Sequence, residues 1–193
     1  MISRRPILFA SLFQGALIPV ALLLAWLLGI QPFEDWSLTG QAVLTGAFAT
    51  LPMLVFFGLV SRSPFAWARE LEARIREVIV PLFRGSGTPA IFWVALLAGV
   101  GEELLFRGVI QTALENQFGA LPGLFLAALI FGLAHYVTRA YFVLATLMGL
   151  YLGWLYQWTG NLLVPVLVHF LYDWIALEWY VRRERRRGAG GLD

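Results

Sequence analysis

The sequence predicts an all-α, polytopic membrane protein, a bundle of about six transmembrane helices with one amphipathic helix at the membrane surface. Two observations predict this fold class. Hydrophobic residues make up 60% of the 193 residues and charged residues only 13%, and the mean hydropathy is +0.75. Apolar stretches of about 20 residues, the length that a helix needs to cross a bilayer, recur along the chain. We therefore expect a single integral membrane domain, 1–193, whose surroundings are the lipid bilayer.

Composition also excludes several kinds of chemistry. The chain has no cysteine, so neither disulfide bonds nor thiolate catalysis nor thiolate metal ligation is available. The isoelectric point near 9.3 would suit a nucleic-acid-binding protein. However, the basic residues lie at the ends of the apolar stretches, as topology determinants do. We expect no nucleic-acid partner.

The first two predicted spans, 7–29 and 38–60, form an N-terminal part, 1–60. The first is interrupted only by Gln14 and Pro19. Two arginines precede it, as in a signal peptide, but the apolar stretch exceeds the 7–15 residues or so of a signal-peptide core. We interpret it as a retained helix.

The segment 64–85 differs in kind because its charged and apolar residues alternate with helical spacing. The charged residues are Arg69, Glu70, Glu72, Arg74, Arg76 and Glu77, and the apolar ones are Trp67, Leu71, Ile75, Val78 and Ile79. Such a helix suits the headgroup plane of the membrane. A cytosolic connecting helix packed on the bundle fits the pattern equally well.

Four further spans are predicted to form a core at 89–181, which a basic tail follows at 182–193. Their approximate limits are 89–116, 121–137, 140–158 and 162–181. With six spans, every arginine except Arg107 falls on one side of the membrane, and the loops on the other side carry Glu34, Asp35 and Glu115. This is the positive-inside pattern, so we expect a multi-pass protein of the cell membrane with both termini in the cytoplasm.

Charge lies inside the third span, where Glu102, Glu103 and Arg107 interrupt an apolar helix. An ionisable residue at the membrane centre costs about 2.5–3.5 kcal/mol on insertion scales, so its default interpretation is functional. Glu103 and Arg107 are spaced i, i+4 and can form an ion pair on one helix face. Glu102 is rotated by about 100° from Glu103. We expect it to face an open, water-containing cavity as a general base. A charge cluster that only locks helix packing is the alternative, but packing needs no second glutamate.

The only two histidines, His135 and His169, also lie in predicted spans. Phe131 is one turn before His135, and a lone histidine in an apolar helix is more often part of the core than a catalyst. Asp173 follows His169 at i, i+4, so its carboxylate can orient the imidazole. Counting along each span places Glu102 near mid-membrane, His135 near the cytoplasmic end and His169 in the outer half, about a dozen ångströms apart in depth. Tilted helices around a cytoplasmic cavity would bring the three together.

These residues resemble the CPBP family, the CAAX proteases and bacteriocin-processing enzymes, also called the Abi family, which includes the type II CAAX prenyl endopeptidases. The family pattern is Glu-Glu-x-x-x-Arg, then Phe-x-x-x-His, then His-x-x-x-Asn/Asp on successive helices. The chain has Glu102-Glu103-x-x-x-Arg107, Phe131-x-x-x-His135 and His169-x-x-x-Asp173 in that order, and Gly149, Gly153, Thr159-Gly160-Asn161 and Pro165 also match. The resemblance covers about 91–180.

The resemblance implies a glutamate-type intramembrane endopeptidase that acts on a membrane-associated protein or peptide, prenylated or C-terminal in the family's best-known reaction. Glu102 and His135 would position and deprotonate a water, and His169 and Asp173 would lie where the oxyanion develops.

Arg107 and Glu103 would then fix the local electrostatics and helix packing. An ionised Asp173 cannot donate a hydrogen bond to an oxyanion. Either it is protonated or it acts only by orienting His169, and the i, i+4 spacing favours the second.

Relatives of this family have also been called metalloproteases. His135, His169 and a carboxylate would be the zinc ligands, but the chain has no His-Glu-x-x-His. We expect a metal-free water mechanism with no cofactor. The rival function from another class is a non-catalytic immunity or regulatory protein that binds a partner through the same polar cluster. A transporter is a third, although the first half of the chain does not repeat the polar motif.

Overall fold

A computed structural model of the chain describes residues 5–83 and 85–189, and side chains for residues 6–83 and 85–187. Several arginines used to predict the topology, Arg4, Arg84 and the side chain of Arg5, lie outside the described residues, as does the end of the predicted tail at 190–193. The described residues form helices, turns and loops without a β-strand.

Nine α-helices follow one another along this part of the chain. They are α1 (Arg5–Leu28), α2 (Gly40–Val60), α3 (Ala66–Arg74), α4 (Val80–Phe83), α5 (Thr88–Leu105), α6 (Thr112–Phe118), α7 (Ala120–Ala134), α8 (Arg139–Thr159) and α9 (Leu163–Ala189). Two π-helical segments join neighbouring helices without a break, Ile75–Ile79 between α3 and α4 and Phe106–Gln111 between α5 and α6. The all-α, polytopic bundle predicted from the sequence is confirmed.

Among the described residues, four helices are long and apolar enough to cross a membrane: Pro6–Leu28, Gly40–Val60, Thr88–Phe118 and Arg139–Thr159. Of the six or so predicted spans, these four are supported by the length and composition of their helices. Helix α7 has 15 residues, or about 22 Å, which is less than the roughly 30 Å of a hydrocarbon core. The apolar part of α9 is diluted by charged and polar side chains. For α7 and α9 a transmembrane position stays a prediction.

The helix ends follow from local sequence. The side chains of Thr39 and Thr138 cap α2 and α8 by accepting hydrogen bonds from Ala42 N and Tyr141 N, both at 3.1 Å. A capping hydroxyl of this kind pairs an N–H that the helix leaves unbonded. Gly160 ends α8 in the left-handed region, at φ +57°, where glycine has no steric penalty.

Helix α5 lies in the middle of the bundle, with α1 on one side and α9 on the other. A Cβ atom at Gly99 would lie 2.9 Å from Phe170 Cβ of α9 and 3.0 Å from Val166 O. The absence of a side chain therefore brings the α5 and α9 backbones close together. The two buried glutamates lie a few residues further along this interface.

Helices α7 and α8 pack on each other through Gly149 and Gly153 of α8. A Cβ atom at Gly149 would lie 3.1 Å from Ala128 Cα, and one at Gly153 would lie 2.5 Å from Leu124 Cδ1. This glycine pair thus permits a close helix contact within the chain.

The amphipathic segment packs on the bundle through its apolar face and one charged residue. Ala68, Leu71, Val80 and Phe83 are buried, and Glu72 Oε1 accepts hydrogen bonds from Arg76 and from Arg183 of α9, each at 2.6 Å. This packing is what the connecting-helix interpretation requires. A location in the headgroup plane stays a prediction.

Candidate active site

Three helices bring the six predicted site residues into one buried cluster. Helix α5 carries Glu102 and Glu103, and the π-helical segment that follows it carries Arg107. His135 caps the C-terminal end of α7, and His169 and Asp173 lie one turn apart on α9. The cluster is a geometric observation, and the catalytic roles of its members stay predictions.

Glu103 holds the centre of the cluster. Its Oε1 accepts a hydrogen bond from Arg107 Nη1 at 2.8 Å, which forms the ion pair that the i, i+4 spacing predicted. The same oxygen lies 2.6 Å from His169 Nδ1. The exposed fraction is 0% for the Glu103 side chain and 2% for that of Arg107. A charge pair buried this completely is stabilising only if its remaining polar atoms are also bonded; Glu103 Oε2 has no hydrogen bond from the described residues, whereas Arg107 has further contacts.

Arg107 finds those further contacts on α7 and α8. Its Nη2 donates to Gly149 O at 3.0 Å, and its Cζ lies 4.6 Å from the centre of the Phe131 ring. A guanidinium over an aromatic face gains a cation–π attraction. The π-helical segment therefore directs one arginine to three helices at once.

Glu102 has a different set of partners, as its rotation from Glu103 predicted. Its Oε1 accepts a hydrogen bond from Gln14 Nε2 of α1 at 3.0 Å, and its Oε2 lies 3.2 Å from His135 Nε2 and 4.0 Å from His169 Nε2. The expectation that Glu102 faces an open cavity differs from the structure, because only 6% of the residue is exposed. Helix α1 covers the side of Glu102 that was expected to face the cavity.

His135 is held in a defined orientation by the turn that precedes it. Its Nδ1 lies 2.8 Å from Phe131 O, and its ring lies 4.3 Å from the Phe131 ring, centre to centre. A carbonyl oxygen can only accept, so Nδ1 carries the proton and Nε2 faces Glu102. The phenylalanine one turn earlier thus serves the histidine through both its backbone and its ring.

His169 is oriented by two carboxylates rather than one. Asp173 Oδ2 lies 3.5 Å from His169 Nε2, while Glu103 makes the shorter contact at Nδ1. The i, i+4 spacing placed Asp173 beside the imidazole, but it could not reveal the contact between α5 and α9. Glu103 therefore also orients His169, a role that the sequence did not predict.

Two side chains of the cluster are partly exposed. The side chains of His135 and Asp173 are 26% and 29% exposed, whereas that of His169 is 3% exposed. Glu102 Oε2 itself is buried.

The short length of α7 removes the disagreement in depth among the predicted site residues. The predicted span continued to residue 137, but the helix ends at Ala134, and the chain turns at His135. The imidazole consequently lies within the bundle, beside Glu102. Counting residues from span limits could not anticipate where the helix ends.

Two glutamines, the half-buried Gln14 and the buried Gln111, belong to the same region and were not predicted. Gln14 of α1 contacts Glu102, and Gln111 donates to Gly153 O at 3.1 Å and to Glu115 Oε1 at 2.6 Å. Arg107 and Gln111 are spaced i, i+4, as are the two glycine carbonyls that they reach on α8. A lone glutamine inside an apolar stretch was the available signal for both.

The residues do not form a metal site in this structure. The two imidazole Nε2 atoms lie at unequal distances from Glu102 Oε2, 3.2 and 4.0 Å. In residues 5–83 and 85–189, no group of three histidine, aspartate and glutamate side chains is arranged to hold an ion.

Comparisons with known proteins point to the same part of the chain. Residues 84–175 match the model of a family described as type II CAAX prenyl endopeptidase Rce1-like. A curated relative, the "Uncharacterized protein YpbD" of Bacillus subtilis (strain 168), is 39% identical over 95 residues, which cover 48% of this chain and 46% of that protein. The match thus spans about half the length of the curated relative. No solved structure matches the chain.

The matched residues contain the whole cluster from Glu102 to Asp173 and exclude α1 and α2. The resemblance that the three motifs predicted is thereby confirmed. Over residues 84–175 the chain is similar to the Rce1-like, type II CAAX prenyl endopeptidase family.

Proposed function

We propose that the protein is an intramembrane endopeptidase that hydrolyses a peptide bond of a membrane-associated protein with a water activated by Glu102 and His135. One observation carries the proposal. Glu102 Oε2 and His135 Nε2 lie 3.2 Å apart, and Glu102 Oε2 is buried without a hydrogen bond from any described residue. A water that donates one hydrogen to each of these two acceptor atoms would lie within hydrogen-bond reach of Glu102, as a general base requires.

The two glutamates divide the chemistry. Glu103 is neutralised by Arg107 and contacts His169, so we assign it a structural role. Each carboxylate keeps one buried oxygen without a hydrogen bond from the described residues, but Glu102 has no arginine partner, and its free oxygen lies beside His135 Nε2. Adjacent carboxylates in different environments are a common basis for different roles.

The reaction follows from this division. A water bonded to Glu102 Oε2 and His135 Nε2 attacks the carbonyl carbon of the scissile peptide, and its proton passes to Glu102 as the C–O bond forms. The oxyanion of the tetrahedral intermediate lies toward His169, whose imidazolium form can donate its Nε2–H to it. The amide nitrogen then takes the proton from Glu102 as the C–N bond breaks, so one carboxyl and one amine are produced.

The substrate class is inferred from the family match and from the partly exposed side chains of His135 and Asp173. CAAX endopeptidases act near the C-terminus of proteins whose lipid anchor lies in the membrane. A C-terminal segment that enters between His135 and Asp173 would place a peptide bond beside Glu102 Oε2. We propose such a membrane-anchored peptide as substrate.

Mapping of protein termini by mass spectrometry tests the proposal. Membranes of cells that carry the wild type are compared with those that carry Glu102→Gln or His135→Ala, at equal abundance of the protein. We expect a set of termini that disappears in both variants. Glu70→Gln is a suitable control because Glu70 is an exposed glutamate of α3.

The alternatives give different results. Identical terminus maps in the wild type, Glu102→Gln and His135→Ala would overturn the protease proposal and favour a binding or immunity function. Termini that persist in His135→Ala but vanish in Glu102→Gln would remove His135 from the proposed water site. Both conclusions require that the terminus map of Glu70→Gln is the same as that of the wild type.

A further inference from the structure

Helix α1 lies outside the family match, yet it contributes a side chain to the candidate active site. Gln14 Nε2 donates a hydrogen bond to Glu102 Oε1 at 3.0 Å, across 88 positions of sequence. Gln14 is a polar residue in a helix that is otherwise apolar over most of its length. The motifs at 84–175 therefore do not contain every residue that touches the proposed base.

The contact depends on a close approach between α1 and α5. A Cβ atom at Gly101 would lie 2.7 Å from Gln14 O and 3.2 Å from Leu17 Cβ. Glycine at this position lets the α1 backbone pack against α5 one residue before Glu102. Ala21 and Ala25, buried on the same face of α1 with 0% and 2% exposure, continue the interface.

Packing alone does not account for a glutamine at this position. An amide in an apolar environment is costly unless its polar atoms are hydrogen-bonded. Gln14 Oε1 is buried and accepts no hydrogen bond from the described residues. A leucine would fill the same space without that cost, so the useful property of Gln14 is its bond to Glu102.

That bond determines which way the glutamate carboxylate faces. The terminal torsion of a glutamate side chain is broad and allows the carboxylate to rotate. With Oε1 held by Gln14, Oε2 is directed to His135 Nε2 at 3.2 Å. The donor is neutral, so it orients the carboxylate without providing the full positive charge that Arg107 gives to Glu103.

We propose that Gln14 is a positioning residue for the hydrolysis: it fixes the carboxylate plane of Glu102 so that Oε2 shares a water with His135. This inference rests on the proposed function. It adds that the active site is incomplete without α1, although α1 lies outside the matched segment. A bond to a charged group is typically strong enough for its loss to change a rate by 10- to 100-fold or so.

The test uses the full-length protein and a fluorogenic peptide that spans a cleavage site found by terminus mapping. Gln14→Met keeps the size of the side chain and removes the donor, and Leu17→Met is the matched control on the same interface. We expect kcat of Gln14→Met, measured per folded molecule, to fall by about 10- to 100-fold with KM within twofold of the wild type. Leu17→Met should retain wild-type kcat.

A second variant keeps the inference falsifiable if Gln14→Met accumulates poorly. Gln14→Asn keeps the amide but is one methylene shorter, so its donor does not reach Glu102, and we expect a similar loss of kcat. Rates are measured per molecule in the monodisperse fraction. A merely structural role would lower the thermal midpoint and leave kcat per folded molecule unchanged, which would overturn the inference.

The two proposals fail in distinguishable ways. If Glu102→Gln is inactive while both Gln14 variants match the wild type, the positioning role is wrong and the protease function stands. If the wild type produces no termini beyond those of Glu102→Gln, the protease function and this inference fail together.

Discussion

Glu103 Oε1 lies 2.6 Å from His169 Nδ1, and this contact, rather than the one with Asp173, is the shortest that the imidazole makes with a carboxylate. The same oxygen receives Arg107 Nη1 at 2.8 Å. Three residues that the motifs assign to two helices thus form one bonded unit across the interface of α5 and α9. The unit holds His169 beside Glu102 without exposing a charge.

This arrangement predicts unequal effects at the two carboxylates next to His169. We expect Glu103→Gln to lower kcat by about 10- to 100-fold, the usual loss when a residue that orients a functional histidine is changed. Asp173→Asn should retain activity within a few-fold, because its contact with His169 is longer and an asparagine can donate to an oxyanion. Steady-state kinetics on the peptide substrate would measure both. A loss in Asp173→Asn as deep as that in Glu102→Gln would contradict the weaker role.

Arg107 should matter more for stability than any exposed arginine. Arg107→Met leaves Glu103 buried with an unpaired charge, which typically costs about 3–5 kcal/mol. We expect a lower midpoint of unfolding in detergent and a lower abundance in cells. Arg74→Met is the control, because the ion pair of Arg74 with Glu77 is 54% and 63% exposed and such pairs contribute about 0–1 kcal/mol. Equal midpoints for the two variants would show that the buried pair is not structural.

Gly153 should not tolerate a methyl group. The new Cβ atom of Gly153→Ala would lie 2.5 Å from Leu124 Cδ1 and would also displace the Gln111 amide. Overpacking of this kind costs about 1–3 kcal/mol. Gly15→Ala offers a matched comparison within α1, since its Cβ atom would meet nothing within 4 Å and alanine is the better helix former by up to about 1 kcal/mol. Thermal unfolding of the two variants should therefore shift in opposite directions, and a Gly153→Ala midpoint at or above that of the wild type would refute the tight contact.

The metal-free mechanism predicts that chelators leave the reaction unaffected. We expect the rate of peptide cleavage to be the same after incubation with 1,10-phenanthroline and dialysis. An apo-enzyme that is inactive and recovers with zinc would instead show that His135, His169 and a carboxylate rearrange around an ion. The non-chelating isomer 1,7-phenanthroline controls for inhibition by the aromatic compound itself.

Much of the candidate site could be predicted from sequence because charge inside an apolar helix is rare and costly. That rule alone selected Glu102, Glu103, Arg107 and the two histidines, and helical periodicity correctly paired Glu103 with Arg107 and separated it from Glu102. The structure brings all of them into one cluster.

The rule about charge inside an apolar helix does not select Gln14. It is uncharged, so it stands out little against an apolar background, and its partner is 88 positions away. The second contact of Glu103, with His169, was missed for a related reason. Periodicity relates residues on one helix and gives no information about contacts between helices.

Composition and spacing along the sequence predicted a helical membrane bundle, the six residues proposed to carry the chemistry, and the family that residues 91–180 or so resemble. These properties depend on composition and on short spacings along one helix. Three features became evident only in the folded bundle: Glu102 is covered by α1, Glu103 links Arg107 to His169, and α7 ends early enough to leave His135 within the bundle. The first two features depend on how closely two helices approach. Gly101 and Gly99 permit a close approach, but the packing of the whole bundle sets the distance.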